Sequence, residues 1–360
     1  MKALQFHDKH DIRLNDIETP HPRPGQVRVR PSFVGICGTD VHEYTRGATL
    51  IPQTAHVLTG RAAPLTLGHE ISGVVDRVGN DVTRLRVGDH VAILPILSDD
   101  TCYACRQNKP NCCAKQGFYG LSTDGGLAEH IVVEERNARL LPATIDLDVG
   151  ALIEPLAVGW HAVGCGLTKT SSSALVMGAG AIGLCVTQAL KARNINVIIV
   201  ADPNAARHRT ARTAGATHVI DPSKGDLLET VARICASSEG AHVAFDTAGK
   251  QITLDQCIAA VCVSGTVVNI AIWGGPARIM PNDLLLREKR YLGTSVYTRE
   301  DFDAVIEAVA SGVIEPRFMI TSKIGLGDVV SQGIPKLLDP AGHEVKVLVA
   351  INGKSSNAQL

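Results

Sequence analysis

Leu175-Val176-Met177-Gly178-Ala179-Gly180-Ala181-Ile182-Gly183 is the stretch that decides the fold. A short apolar run, long enough for a strand, meets a glycine-rich turn, and the helix-compatible segment Ile182–Ala192 follows. In such a turn Gly178 makes the bend, Gly180 lets backbone approach a pyrophosphate, and Gly183 lets helix and strand pack closely. The helix N-terminus then offers unpaired N–H groups and the positive end of its dipole to phosphates. Downstream, Val197–Ala201 reads as the next strand, and Asp202 closes it 24 positions after Gly178. That is near the offset of about 20 residues expected of the acid that binds the adenosine ribose.

Working outward, His218–Ile220, Val243–Phe245 and Thr266–Ile272 read as further strands, and Ala205–Ala214 has helical spacing. Strands alternating with helices imply a doubly wound parallel sheet of Rossmann type with both faces covered. The flanks differ in texture. Up to about residue 157 the chain is rich in Gly, Pro and short runs such as Gln26–Arg30, Gly73–Val78 and His90–Leu94, which read as an irregular β-rich domain. After Thr298 come one helix, Glu300–Ala310, and a β-like tail ending at Val345–Val349. At 360 residues the chain exceeds what one core usually organises. The expected architecture is therefore a nucleotide-binding domain, 158–298, inserted between the two parts, 1–157 and 299–360, of a β-rich domain.

Apolar residues make up 45% and charged residues 20%, which excludes disorder as a reading of the whole chain. Thirty-five basic against 36 acidic residues leave a net charge of −1, so no basic field exists for nucleic acid or an anionic membrane. The start, Met1–Asp8, lacks a basic-then-apolar leader, and no apolar run reaches the ~20 residues of a membrane span. Five of the ten cysteines (Cys165, Cys185, Cys235, Cys257, Cys262) lie singly in apolar stretches. A cytoplasmic protein with small-molecule partners is expected.

The chemistry-bearing segments of the first domain are Gly35-Ile36-Cys37-Gly38-Thr39-Asp40-Val41-His42 and Gly68-His69-Glu70. A thiolate, an imidazole and one or two carboxylates suit a tetrahedral zinc with an open position. Glu154 supplies another carboxylate just before the nucleotide-binding domain. Spacing alone does not specify such a site, because its ligands are scattered.

Gly68-His69-Glu70, followed by Gly73, Gly79 and Val82, resembles the signature of the zinc-containing medium-chain alcohol dehydrogenases, whose β-rich catalytic domain is GroES-like. The similarity runs through the whole chain. Phe118–Ser122, Glu154–His161, Asn269–Trp273 and Asp301–Asp303 look most like the 2,3-butanediol dehydrogenase branch, with sorbitol dehydrogenases next. The resemblance implies a catalytic zinc on Cys37 and His69, with Glu154, ranked narrowly first, or Glu70 as the carboxylate ligand. It implies a proton relay in which Thr39 takes the alcohol proton and His42 passes it to solvent. It also implies NAD contacts at Ile182, Asp202, Arg207, Ile270-Ala271-Ile272 and Thr294-Ser295-Val296, with Lys346 against the pyrophosphate. Asp202 favours NAD over NADP; Arg207 is the residue that could accommodate a 2′-phosphate.

Many relatives hold a structural zinc on C-x2-C-x2-C-x7-C. Counted from Cys102 and Cys105, Asn108 and Gln116 stand in the third and fourth places, while Cys112 and Cys113 lie between them. Either these four thiols form a remodelled zinc site, with Asp99 or Asp100 able to complete it, or the lobe is reduced and metal-free. The expected substrate is a vicinal diol or hydroxyketone, with polyols the alternative, and a homodimer or homotetramer is expected. Zinc-free reductases and non-catalytic relatives share the architecture but would lack Cys37, His69 and Glu154.

Overall fold

A computed structural model describes residues 1–339 and 341–351, so the end of the expected catalytic segment, 352–360, lies outside the described residues. The chain divides into two units: Met1–Glu154, Thr298–Ala310 and the chain from Ile320 onward form one, and Pro155–Tyr297 with Ser311–Met319 forms the other.

The second unit is built on six parallel strands in the order His218–Ile220, Val197–Ala201, Ser173–Met177, Ala241–Asp246, Val261–Asn269, Arg290–Gly293. The order reverses between Ser173–Met177 and Ala241–Asp246, which creates the crevice where doubly wound sheets bind nucleotides. Ser173–Met177 is buried throughout, as a central parallel strand with both faces covered must be. Leu175, Ile199, Ala244 and Val267 from four strands pack with Val231, Leu254 and Ile258 from two helices. All five strands the sequence implied are present, joined by a sixth, Arg290–Gly293, and the fifth begins at Val261 instead of Thr266. The strand expected to run to Ile272 stops at Asn269, because the N–H groups of Ile270 and Ala271 both turn to the carbonyl of Asp246.

The first unit is mainly antiparallel. Its largest sheet runs Ala138–Leu140, His90–Ile93, Glu70–Val78, Gln26–Gly35, Lys346–Ala350, Ile320–Gly325. Gln26–Gly35 is shared: its first half also pairs with Ile131–Glu134 and its end with Lys346–Ala350. The strand's irregular register at Pro31 accompanies a close approach, because a Cβ on Gly73 would meet the Arg30 carbonyl oxygen at 2.4 Å. The pairing brings the Gly35, Glu70 and Lys346 ends of three strands together. Among the described residues no helix is long and apolar enough to cross a membrane.

Candidate active site and metal centres

Cys37 lies between the strand Gln26–Gly35 and the helix Gly38–Arg46, which it caps with extended backbone. Its N–H donates to Asp40 Oδ2 at 2.9 Å, and its Sγ lies 3.7 Å from Thr39 Oγ1. Thr39 and His42, three apart on this helix, share a face and are half-buried. Burial, with Arg46 nearby, lowers the pKa of His42.

His69 follows Gly68, whose φ of +92° admits glycine more readily than other residues. The ligand atoms of Cys37, His69 and Glu70 all lie within 4.8 Å of one another. Glu154, buried at the start of the helix Ile153–Gly166, adds its charge to His69. Burial disfavours the imidazolium of His69, but Asp40, Cys37 and Glu154 outweigh it and raise its pKa well above 6.5. The Asp40 carboxyl is likewise raised, by burial first. Acidic groups therefore crowd one imidazole, a setting that a divalent cation neutralises.

Glu70 also meets Lys346, whose Nζ donates to Oε1 at 2.6 Å and Oε2 at 2.8 Å, and to the Ile36 carbonyl at 3.3 Å. Gly35 makes room for this pair: a Cβ there would stand 1.9 Å from Glu70 Oε2. The expectation set Lys346 against the pyrophosphate; the partner the structure shows for it is Glu70. Lys346 is 2% exposed, and its ammonium is held by the Glu70 carboxylate.

Asp40 is a residue the sequence reading missed. Its Oδ1 lies 3.8 Å from His69 Nδ1, and both are buried without a hydrogen-bond partner among the described residues. A carboxylate facing one ring nitrogen orients the imidazole and directs the other nitrogen to a metal. The donor set and this orphaned pair fit a zinc ion.

A second cluster gathers Asp99, Cys102, Cys105 and Cys113. Cys102 Sγ lies 3.5 Å from Cys105 Sγ and 3.9 Å from Cys113 Sγ, and Cys105 Sγ lies 3.5 Å from Asp99 Oδ1. Burial and the neighbouring thiols push the Cys105 thiol up to about 12, and backbone N–H groups of Cys102 and Thr101 hold Asp99 well below the usual carboxylate range. Counted from Asp99, the spacing is x2, x2, x7, so the register begins one ligand earlier than Cys102. Cys112 does not join the cluster. It ends the short turn Pro110–Cys112 and is exposed, while adjacent Cys113 is buried, because neighbouring side chains on such a turn diverge.

In the second unit the glycine turn divides its labour by position. Gly178 has φ +106°, and a Cβ on Gly183 would stand 1.9 Å from the Gly178 carbonyl oxygen, so Gly183 is the close-packing residue. A Cβ on Gly180 would find only Arg207 Nη1, at 4.0 Å, so the space over the helix start is open. Asp202 follows its strand and accepts from Ala179 N on Oδ2 and Asn204 N on Oδ1, both at 2.7 Å. Arg207 Nη1 lies 3.9 Å from the same Oδ2. Ile182 is half-buried in the first turn of the helix. Ile270-Ala271-Ile272 and Thr294-Ser295-Val296 follow the carboxyl ends of adjacent strands, on the same sheet edge as the turn and Asp202, and Thr294 N donates to the Asn269 carbonyl.

Residues 23–143 match the model of the alcohol dehydrogenase GroES-like domain, and residues 181–311 that of the zinc-binding dehydrogenases. The chain is 36% identical to the (R,R)-butanediol dehydrogenase of Saccharomyces cerevisiae, with 98% of each chain covered. It is 30% identical to a sorbitol dehydrogenase of Bacillus subtilis over 98% of both chains. The crystal structure of the 2R,3R-butanediol dehydrogenase of Bacillus subtilis superposes with a TM-score of 0.91 at 36% identity, covering 98% of this chain and 99% of that one. With both domain models matched and relatives similar over nearly their whole length, the chain belongs to the zinc-binding alcohol dehydrogenase family.

Proposed function

We propose that this protein interconverts a vicinal diol and its hydroxyketone, of the 2,3-butanediol and acetoin type, using NAD and a zinc ion. The observation that carries this reading is the convergence of the Cys37, His69 and Glu70 ligand atoms within 4.8 Å, beside an oriented Asp40–His69 pair. The butanediol dehydrogenases among the relatives support the substrate class.

When bound, zinc supplies Lewis-acid polarisation of the substrate oxygen, and NAD supplies the hydride acceptor. Cys37 and His69 hold the metal. Glu154 or Glu70 completes the set, and the Lys346 pairing of Glu70 supports Glu154 as the resting ligand. Thr39 accepts the alcohol proton on its hydroxyl and His42 relays it to solvent. The depressed pKa of His42 keeps its imidazole a base at lower pH. Asp202 takes the ribose hydroxyls, and its carboxylate repels a 2′-phosphate. Asp99, Cys102, Cys105 and Cys113 hold a second, structural zinc.

A second copy of the chain covers the outer edge of the six-stranded sheet. Arg290–Gly293 is its last strand, and Met280, Leu285 and Leu286, which precede it in the chain, are 62%, 70% and 76% exposed. The free thiols support a reducing, cytoplasmic setting. A panel of vicinal diols, polyols and simple alcohols, each with NAD and NADP, tests the proposal. Highest kcat/KM on a vicinal diol with NAD is expected; a polyol preference would move the protein to the sorbitol side of the family.

A further inference from the structure

The segment 51–63 has no part in the chemistry above, yet it is fastened at three points to the segment 116–124. His56 Nε2 meets the Gln116 carbonyl at 3.1 Å, Thr59 Oγ1 donates to the Ser122 carbonyl, and Arg61 Nη2 donates to Asp124 Oδ2 at 2.8 Å. The loop is also closed on itself, with His56 N donating to the Arg61 carbonyl and Gly60 N to the His56 carbonyl. His56 Nδ1 accepts from Leu58 N and Thr59 N at 3.3 Å. Since Nδ1 is an acceptor, the ring proton of the neutral imidazole sits on Nε2, which therefore donates to Gln116. One histidine thus shapes its own loop with one nitrogen and grips the neighbouring segment with the other.

The gripped segment stands directly behind His69. Phe118 is buried with its ring edge-to-face with His69, centroids 6.3 Å apart. A Cβ on Gly120 would stand 2.4 Å from the Gly68 carbonyl oxygen, so backbone packs on the residue preceding His69. On the other side, a Cβ on Gly117 would meet His56 Cε1 at 3.2 Å and Thr59 Cγ2 at 3.4 Å. The loop therefore rests on the residue that immediately precedes Phe118.

We propose that His56 is a positioning residue for substrate size: by clasping the 51–63 loop to the 116–124 segment it fixes the Phe118 ring as the wall beside His69. The inference rests on the dehydrogenase reading above. Held in place, the Phe118 ring limits the substrate beside His69 to a short vicinal diol, and loosening the clasp admits longer ones.

The test compares zinc-loaded wild type with His56→Asn and Gly117→Ala. An asparagine can still accept from Leu58 N and Thr59 N, so it cuts only the tie to Gln116. His56→Asn should raise KM for 2,3-butanediol about tenfold, the scale of small changes in pocket fit. Its kcat should stay within about threefold, as expected when ground-state and transition-state binding are lost together. The preference over vicinal hexanediol and octanediol should narrow, and Gly117→Ala should shift the profile the same way. His56→Gln, which can keep a donor toward Gln116, should recover part of the loss. Hydrogen exchange, read without turnover, should rise at amides 117–122 in His56→Asn while zinc content is unchanged. An unchanged size profile, or kcat falling alike for every substrate with zinc loss, would overturn the proposal. Failure of the dehydrogenase reading would appear separately, as a wild type with no zinc-dependent diol turnover.

Discussion

Asp40 Oδ1 faces His69 Nδ1 across 3.8 Å, and neither buried atom has a hydrogen-bond partner among the described residues. Two unsatisfied polar atoms side by side are costly unless they serve each other when the imidazole is engaged elsewhere. A ring proton on Nδ1, drawn toward Asp40, leaves the other nitrogen with its lone pair free for a metal.

Asp40→Asn should therefore weaken zinc binding by about 10- to 100-fold, the usual loss for an outer-shell carboxylate. Competition with a chromophoric chelator measures it. An unchanged zinc dissociation constant would mean that Asp40 only caps the helix through the Cys37 N–H.

Asp99→Ala should remove the second zinc and leave the first. Metal analysis should fall from two zinc ions per chain to one, while Cys112→Ser stays at two, because Cys112 points away from the cluster. If Cys112→Ser loses zinc and Asp99→Ala does not, the ligand set drawn above is wrong.

How much of this was legible in the sequence depends on how local each feature is. The glycine turn, its strand and Asp202 lie within one short stretch, so spacing was sufficient. The strand end at Asn269 was not, because the Asp246 carbonyl that captures Ile270 and Ala271 comes from a neighbouring strand. Lys346 and Glu70 are 276 residues apart, on the two strands that flank Gln26–Gly35, and no local pattern indicates that the sheet brings them together. Resemblance supplied Cys37 and His69, and it set Lys346 against the pyrophosphate without indicating the Glu70 carboxylate that holds its ammonium. Asp99 is legible in the sequence only as one of two aspartates able to complete the site, because a register set by cysteines starts at Cys102 and the spacing is regular only when an aspartate is admitted as the first ligand.

Asp202→Ala should raise KM for NAD by one to two decades, since losing a hydrogen-bonded carboxylate costs roughly 1.5–3 kcal/mol. It should also narrow the discrimination against NADP, as the negative charge facing a 2′-phosphate disappears while Arg207 remains. Steady-state kinetics with both cofactors decides. A wild type that already prefers NADP would assign the choice to Arg207.

Thr39→Val should depress alcohol oxidation at every pH, because it removes the hydroxyl proposed to receive the substrate proton. His42→Ala should act mainly at acid pH, where hydroxide is scarce, and added imidazole should restore part of the rate. General-base loss is worth at most roughly 10²- to 10⁴-fold, and water can replace a solvent-side base, so the low end is expected for His42. Because burial lowers the His42 pKa, the acid limb of the wild type should lie below 6.5. Equal, pH-independent losses at both positions would make His42 structural.

The most direct measurement is a zinc titration of the metal-free protein, following NADH formation from 2,3-butanediol in wild type and in Cys37→Ala. Wild-type turnover should rise with zinc bound at the Cys37–His69 site and saturate at one ion there. Cys37→Ala should bind NADH normally, retain the Asp99 site, and stay inactive at every zinc concentration. Comparable turnover in metal-free wild type, or in zinc-treated Cys37→Ala, would contradict the account.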